Sequence, residues 1–190
     1  MRIGKVYVSI AGGTELESGH VRMKHGAEYS IDVVNDFDQP ANAEIKIDGK
    51  LAGTWRIQAH GQIGIERPAN AERKFTFYRS GSSEAEKLDS VHPTVSGVVS
   101  VRVVPGKTVL CVLPSPIFRG GNESYSFGDG MKGYSGQTGL GAASFQRFGT
   151  AREIDLDYDR AVTVNLRIVC EENGPAPLHD VRSNAVPEAV

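Results

Sequence analysis

The sequence predicts an all-β domain, an antiparallel two-sheet sandwich of jelly-roll-like or immunoglobulin-like type, of which the jelly roll is favoured. Apolar and polar residues alternate repeatedly with the period of a half-buried strand, whereas the 3.6-residue spacing of an amphipathic helix never persists. The apolar runs are short and are punctuated by Gly, Pro, Asn and Asp. The chain has 190 residues, of which 39% are hydrophobic, so it can bury one core without disulfides or a metal.

The alternating runs predict where the strands lie. We expect strands at residues 6–10, 28–34, 43–48, 51–57, 62–66, 74–78, 95–104, 108–113 and 162–170. Residues 1–170 therefore form the predicted domain. Residues 171–190 are polar and contain several prolines, so we expect a tail that is disordered alone or ordered on a partner.

The clearest local signal is a hairpin between residues 43 and 57. Two alternating runs flank Asp48-Gly49, and both residues tolerate the positive φ of a two-residue type I′ turn. This register directs Ile45 and Ile47 into the core. Trp55, the sole tryptophan, is expected to be a core or half-buried residue, with a sugar-stacking platform as the alternative.

Residues 120–149 are rich in glycine and aromatic residues, and we expect little regular structure there. One interpretation is a crossover between the sheets, with its aromatic side chains packed on the core. The other is an adaptable contact surface, because Tyr, Ser, Gly and Asn combine rigid aromatic anchors with flexible polar contacts. The side chains predicted to form this interaction surface are Tyr125, Phe127, Tyr134, Gln137, Phe145 and Phe148.

Charge and hydropathy argue against nucleic-acid and membrane partners. The 21 Lys and Arg residues are balanced by 23 Asp and Glu residues, for a net charge of -2, so no cationic field attracts polyanions. No apolar run reaches the length of a membrane span. The first ten residues alternate like a strand and lack the apolar stretch of a signal peptide, so we expect synthesis in a cytoplasm.

No motif in the sequence specifies a reaction, and we expect neither catalysis nor a cofactor. Acidic residues occupy every second position from Glu153 to Asp159, which predicts a solvated strand face, with an irregular calcium site as the alternative. The five histidines form no zinc motif, and His20 and His25 are expected at the surface.

The two cysteines, Cys111 and Cys170, are expected to point inward. The favoured interpretation is that both are core thiols, and the alternative is a disulfide between neighbouring strands.

Several motifs resemble a poorly characterised β-sandwich module of accessory virion proteins from tailed phages and large DNA viruses. They are Ile-Asp-Gly-Lys at 47–50, Gly-Thr-Trp-Arg-Ile at 53–57, Ile-Glu-Arg-Pro at 65–68, Lys-Phe-Thr-Phe at 74–77, Tyr-Ser-Gly-Gln-Thr-Gly-Leu-Gly at 134–141 and Ser-Phe-Gln-Arg-Phe at 144–148. The resemblance covers residues 2–170. It implies a jelly-roll-like virion domain, such as a capsid decoration protein or a fibre base, without catalytic residues.

The residues and the resemblance together lead to one expected function and one alternative. We expect a virion structural protein that binds capsid or other virion proteins and forms a homo-oligomer, for which a trimer is one arrangement. The alternative is a carbohydrate-binding or receptor-binding module that uses Trp55, Tyr125 or Tyr134 as stacking platforms, with Asn122, Glu123 and Gln137 beside them.

Overall fold

The computed structural model describes residues 1–16, 19–88, 94–108 and 135–171, and these residues form an all-β fold. Their strands assemble into two six-stranded sheets, and all but one of the strand pairs are antiparallel. No α-helix occurs in the described ranges, where the helical element is a 3-10 turn at Tyr158–Arg160. The predicted all-β architecture with two sheets is therefore confirmed, and the predicted antiparallel pairing holds for all strand pairs except one.

The first sheet is organised around its central strand β5. Its strands are β1 (Arg2–Ile3), β2 (Val6–Ala11), β5 (Glu28–Asn35), β8 (Gln62–Ile65), β9 (Arg73–Arg79) and β11 (Gly136–Ala143). The order is β1-β2-β5-β9-β11. The edge of β5 that faces away from β2 pairs with β9 at residues 28–29 and with β8 at residues 31–34. Because β8 and β9 follow each other along one side of β5, residues 66–72 between them form a loop that leaves the sheet and returns to it.

The second sheet has the order β3-β4-β12-β10-β6-β7. Its strands are β3 (Thr14–Glu15), β4 (His20–Met23), β6 (Ala41–Ile47), β7 (Lys50–Ile57), β10 (Val98–Pro105) and β12 (Val162–Cys170). The exception to the predicted antiparallel pairing is β4, which runs parallel to β12. These two strands come from opposite ends of the chain, so no hairpin turn forces them into opposite directions.

One hydrophobic cluster joins the inward faces of the two sheets. It includes Val8 and Ile31 from the first sheet and Val101 and Leu166 from the second, each with no measurable exposure. Alternate residues of the strands point away from it, as the period-2 pattern predicts. The predicted inward orientations of Ile45, Ile47 and Cys170 are confirmed, whereas Cys111 lies outside the described residues.

The prediction that residues 120–149 lack regular structure is wrong for β11, which pairs with β9 along most of its length. The apolar–polar alternation that marks the other strands is missing from β11, because glycines occupy positions where side chains of β9 already fill the space that a Cβ atom would need. A Cβ atom at Gly136 would overlap the ring of Phe77, and one at Gly141 would overlap the hydroxyl of Thr76. Residues 144–149 have no regular structure, as predicted, and residues 120–134 lie outside the described part of the chain.

Several strand boundaries also differ from the prediction. Residues 95–97 form a turn, with Gly97 at φ 72°, and β10 begins only at Val98. Of the predicted strand 108–113, only Thr108 is described, and it is not in a strand. The short strands β1 and β3 carry too few residues for an alternating pattern to be recognised.

The acidic stretch from Glu153 to Asp159 is not a strand. Leu156 makes one isolated bridge to Gly106, and a 3-10 turn begins at Tyr158. His20 is buried rather than at the surface, because β4 lies between β3 and β12 in the second sheet. His25 is exposed, as predicted.

Candidate functional site

The strands β7 and β11 form one edge of each sheet and meet along a cleft of about 340 Å³. Its walls combine aliphatic side chains with two lysines, a carboxylate and an amide. The lining residues are Ile47, Asp48, Lys50, Leu51, Ala52, Pro68, Lys87, Leu88, Gln137, Thr138 and Leu140. Gln137, a predicted interaction residue, is among them.

Asp48 lies at the base of this cleft, in the turn between β6 and β7. Asp48 and Gly49 both have positive φ, at 53° and 76°, so the predicted type I′ turn is confirmed. The turn directs the carboxylate inward, where Oδ1 accepts the backbone N–H of Gly97 and Oδ2 accepts that of Thr138, each at 2.6 Å. Because Thr138 belongs to β11, this carboxylate links the two sheets.

Burial raises the pKa of Asp48 to about 6. The backbone N–H bonds from Thr138 and Gly97 and the charge of Lys50 favour the ionised form, but they offset only part of this effect. Asp48 therefore titrates close to neutral pH. Since its two oxygens accept backbone N–H groups from Gly97 and from Thr138 of the first sheet, the carboxylate holds the two sheets together at this point.

Two further hydrogen bonds hold the same part of β11, one within the first sheet and one to the turn before β10. The hydroxyl groups of Tyr29 and Thr138 lie 2.8 Å apart, and Ser96 Oγ donates to the carbonyl of Gly136 at 2.7 Å. Burial raises the pKa of Tyr29 well above its ordinary value, so its phenol stays protonated. The first half of β11 is thus fixed by polar contacts to both sheets.

Gln137 has an unusual environment for an amide. Its Oε1 atom is buried and accepts no hydrogen bond within the described residues. An unpaired buried carbonyl costs free energy that a donor from a bound molecule could recover. A ligand in the cleft does not reach this atom as the side chain stands, because the atom has no exposed surface.

Beyond β11, the predicted residues Phe145 and Phe148 have opposite environments. Phe145 is 93% exposed. Phe148 packs against the core, with its ring edge-on to Trp55 at 5.5 Å and under the guanidinium of Arg67 at 4.3 Å. Trp55 is half-buried, as predicted. The contact-surface interpretation thus suits Phe145, and the core-packing interpretation suits Phe148.

The loop of residues 66–72 fixes the segment that carries these two rings. Arg67 is buried and donates to the carbonyls of Pro68, Ala71 and Gln146. Ser144 Oγ donates to Glu66 Oε1 at 2.6 Å, and the Gln146 amide donates to the carbonyl of Gly64 and accepts the N–H of Glu66. These bonds hold the backbone on both sides of Phe145.

A second, more polar cleft of about 510 Å³ lies beside Trp55. Residues 149–154 form one wall and side chains of β6 and β7 the other. Its polar groups include Asn42, Thr54, Arg56, Arg152 and Glu153. Amide, guanidinium and carboxylate groups next to an indole are the groups with which proteins bind sugars.

The remaining predicted residues give no further site within the described chain. Tyr125, Phe127 and Tyr134 lie outside it, as do Asn122 and Glu123. In the ranges that the structure describes, no group of three or more His, Cys, Asp or Glu side chains could hold a metal ion, so the acidic stretch gives no support to the calcium alternative.

Sequence reasoning missed the two residues that organise this side of the molecule. Asp48 was predicted only as a turn residue, and Arg67 was not singled out. The Asp-Gly pair predicted the place of Asp48 in the turn but not its burial, because turn residues usually lie at the surface. No local signal existed for Arg67, whose partner Gln146 is 79 residues away.

Among the described residues, no helix is long and apolar enough to cross a membrane. Comparison of the chain with protein-family models, with curated proteins and with solved structures finds no match.

Proposed function

We propose that this chain is a non-enzymatic accessory structural domain of a virus particle, of the capsid decoration or fibre-base type, which binds other subunits of the particle. The proposal includes a jelly-roll-like sandwich as its fold and the virion as its location. The sequence motifs at 47–57 and 134–148 that resemble virion modules support it. So does the side of the molecule at which β7 and β11 meet.

The observation that carries the proposal is the presentation of Phe145. Its ring is 93% exposed, yet its neighbours Ser144 and Gln146 are hydrogen-bonded to Glu66 and Gly64. An exposed aromatic ring on an anchored backbone loses little conformational entropy when a partner covers it. Such preorganised aromatic anchors are typical of binding hot spots.

Two further exposed apolar side chains lie on β7 and on β11, the strand that leads into the segment of Phe145. Leu51 is 59% exposed and Leu140 is 37% exposed, and both line the cleft above Asp48. Single exposed leucines are common on protein surfaces, but a group of apolar side chains around a cleft is typical of an interaction site. We define Leu51, Leu140 and Phe145 as the edge patch and propose that it docks on a neighbouring subunit.

The test uses particles of the virus that encodes this chain. The wild-type chain is expected to co-sediment with purified particles on a density gradient, and Phe145→Ser should reduce the bound amount at least tenfold. Arg147→Ser is the matched control, because Arg147 is also exposed and lies two residues away. Absence of the wild-type chain from the particles, or equal binding of Phe145→Ser and wild type, would overturn the proposal.

The cleft beside Trp55 supports a second candidate function, carbohydrate binding. It brings an indole together with Asn42, Arg56 and Glu153. A glycan array with the wild-type chain should then give hits that Glu153→Gln weakens, and the hit glycan should protect Trp55 fluorescence from iodide quenching. An array without hits would exclude this candidate.

A further inference from the structure

The strand β11 is the last strand of the first sheet, and its outer edge is open. Within the described residues it pairs only with β9, where Thr138 lies opposite Phe77 and Leu140 opposite Phe75. Residues opposite each other in an antiparallel pair exchange both of their hydrogen bonds or neither. Phe75 and Phe77 direct their N–H groups to carbonyls on the other side of β9. Thr138 and Leu140 therefore direct their own backbone groups away from β9.

Three of these outward backbone groups have no partner. The N–H of Thr138 donates to the Asp48 carboxylate, but the Thr138 carbonyl and both backbone groups of Leu140 form no hydrogen bond with the described residues. They lie at the cleft between β7 and β11, which both residues line. A strand edge with unpaired donors and acceptors is a template for a further strand.

The β7 edge of the same cleft is covered. The Ala52 carbonyl accepts the N–H of Ala69 at 2.9 Å, so the loop of residues 66–72 lies along that strand. A strand could not add there without displacing this loop. In contrast, β11 reads Gly-Gln-Thr-Gly-Leu-Gly-Ala-Ala and contains neither the charged residues nor the proline that commonly protect edge strands from pairing.

The walls of the cleft fit a peptide with apolar and acidic side chains. Leu51 and Leu88 supply apolar surface, and the ionisable lining residues are Asp48, Lys50 and Lys87. The Asp48 carboxylate is buried and accepts two backbone N–H groups, whereas both lysines are exposed. A carboxylate on the peptide complements the charge of these lysines.

We propose that an extended segment of a partner protein, with apolar and acidic side chains, adds to the open edge of β11 as a further strand of the first sheet. The Leu140 N–H donates to a carbonyl of that segment, and the Thr138 and Leu140 carbonyls accept its N–H groups. Backbone pairing supplies affinity, and the cleft selects the side chains. This inference rests on the proposed function, because it describes how a neighbouring subunit of the particle binds beside the edge patch.

Hydrogen exchange at the Leu140 amide tests the pairing directly. This amide should exchange fast in the free chain and roughly tenfold more slowly in the chain bound to purified particles. The amide of Gly139 is the internal reference, because it faces β9 and should be protected in both states. Binding to particles without slower exchange at Leu140 would overturn strand addition and leave the proposed function intact. Absence of the chain from the particles would overturn both.

A proline at residue 140 tests the same hydrogen bond by removing it. Leu140→Pro should bind particles roughly tenfold more weakly than the matched control Leu140→Ala, because both lose the leucine side chain but only proline loses the N–H. The β9–β11 ladder does not use this N–H, so the melting temperatures of the two variants should be similar. Equal binding of the two folded variants would overturn the proposal. If the proline variant does not fold, the exchange measurement on the wild type decides.

Charge reversal tests the acidic character of the segment. Lys87→Glu should weaken binding to particles, whereas Lys24→Glu should not, because Lys24 is equally exposed but does not line the cleft. Equal binding of these two variants would overturn the acidic segment.

A second copy of this chain is the other occupant that the test can reveal. Slow exchange at Leu140 in a concentrated solution of the free chain, together with the mass of two chains by light scattering, would place a second copy on the edge. That result would overturn the partner segment.

Discussion

Among the described residues, one anion and one cation are buried near the same edge of the molecule, and they have different roles. Asp48 and Arg67 are 7% and 8% exposed, and each satisfies its polar atoms with backbone groups rather than with an opposite charge. The carboxylate joins the two sheets. The guanidinium joins a loop to the segment that carries Phe145 and Phe148.

The difference between them is whether the charge can be removed. An aspartate can take up a proton, and burial raises the pKa of Asp48 to about 6. An arginine stays charged at every pH at which the protein is folded. The contribution of Asp48 to the junction between the sheets should therefore depend on pH, whereas the contribution of Arg67 to the segment of Phe145 and Phe148 should not.

The largest effect is expected from removing the anion. Asp48→Ala leaves the N–H groups of Gly97 and Thr138 without an acceptor in a buried place, and it puts alanine at positive φ. Each unpaired buried donor costs about 1–3 kcal/mol. Alanine also avoids the free-energy cost of burying a carboxylate, which offsets part of this loss. With the backbone strain included, we expect the free energy of unfolding to fall by roughly 3–4 kcal/mol. Urea unfolding measures it.

Asp48→Asn is the control for this substitution. Asn tolerates positive φ and keeps one acceptor oxygen, so it should lose about half as much stability as Ala. Equal losses for Ala and Asn would mean that the hydrogen bonds to the carboxylate contribute little.

A pH titration of stability is expected to show the next largest effect. The pKa of Asp48 is raised in the folded state, so the folded chain holds this proton between pH 3.8 and about 6 while the unfolded chain has lost it. The stabilisation that comes from this retained proton is fully present below pH 3.8 and is lost as the pH rises towards 6. The shift corresponds to at most about 3 kcal/mol.

Other carboxylates titrate in the same range, and some act in the opposite direction. The hydrogen bond and charge of Lys5 hold the pKa of Asp38 below its ordinary value. The measurement is therefore the difference in unfolding free energy between wild type and Asp48→Asn, which should grow in favour of the wild type as the pH falls from 6 to 4. A constant difference would show that Asp48 is ionised throughout.

Removing the cation should cost less and should not depend on pH. Arg67→Met keeps the volume and the contact with Phe148 but leaves three carbonyls without donors, and we expect a loss of about 2 kcal/mol. Trp55 fluorescence should change as well, because Phe148 packs against that ring. Arg73→Met is the matched control, since Arg73 is exposed and donates to one carbonyl.

If the loss at Arg67 followed the same pH profile as the loss at Asp48, the two junctions would form one unit. Equal losses at Arg67 and Arg73 would show that the buried guanidinium does not organise the loop.

The parts of the fold that sequence could predict are those fixed by neighbours in the chain. The β6–β7 hairpin was predicted with its inward side chains, because Asp48-Gly49 and the alternation around it are local signals. The contact of Asp48 with Thr138 spans 90 residues, and no local pattern encodes it. The strand β11 was missed because its glycines fit against Phe77 and Thr76 of another strand, which only the assembled sheet reveals.

The smallest effect concerns the turn that places Asp48 at the junction. Gly49 has φ 76°, and a Cβ atom there would meet only Val95, at an ordinary contact distance of 3.6 Å. Gly49→Val should therefore lose about 1–2 kcal/mol through backbone strain rather than through a clash. Gly49→Asn meets the same neighbours, but Asn tolerates positive φ, so its free energy of unfolding should fall by roughly a few tenths of a kcal/mol. Thermal melts at pH 7 give both values.

If the turn matters because it directs the Asp48 carboxylate towards Thr138, Gly49→Val should also reduce the pH dependence that distinguishes wild type from Asp48→Asn. Equal melting temperatures for the two variants would mean that the turn does not need positive φ at residue 49, and that Asp48 reaches Thr138 without its help.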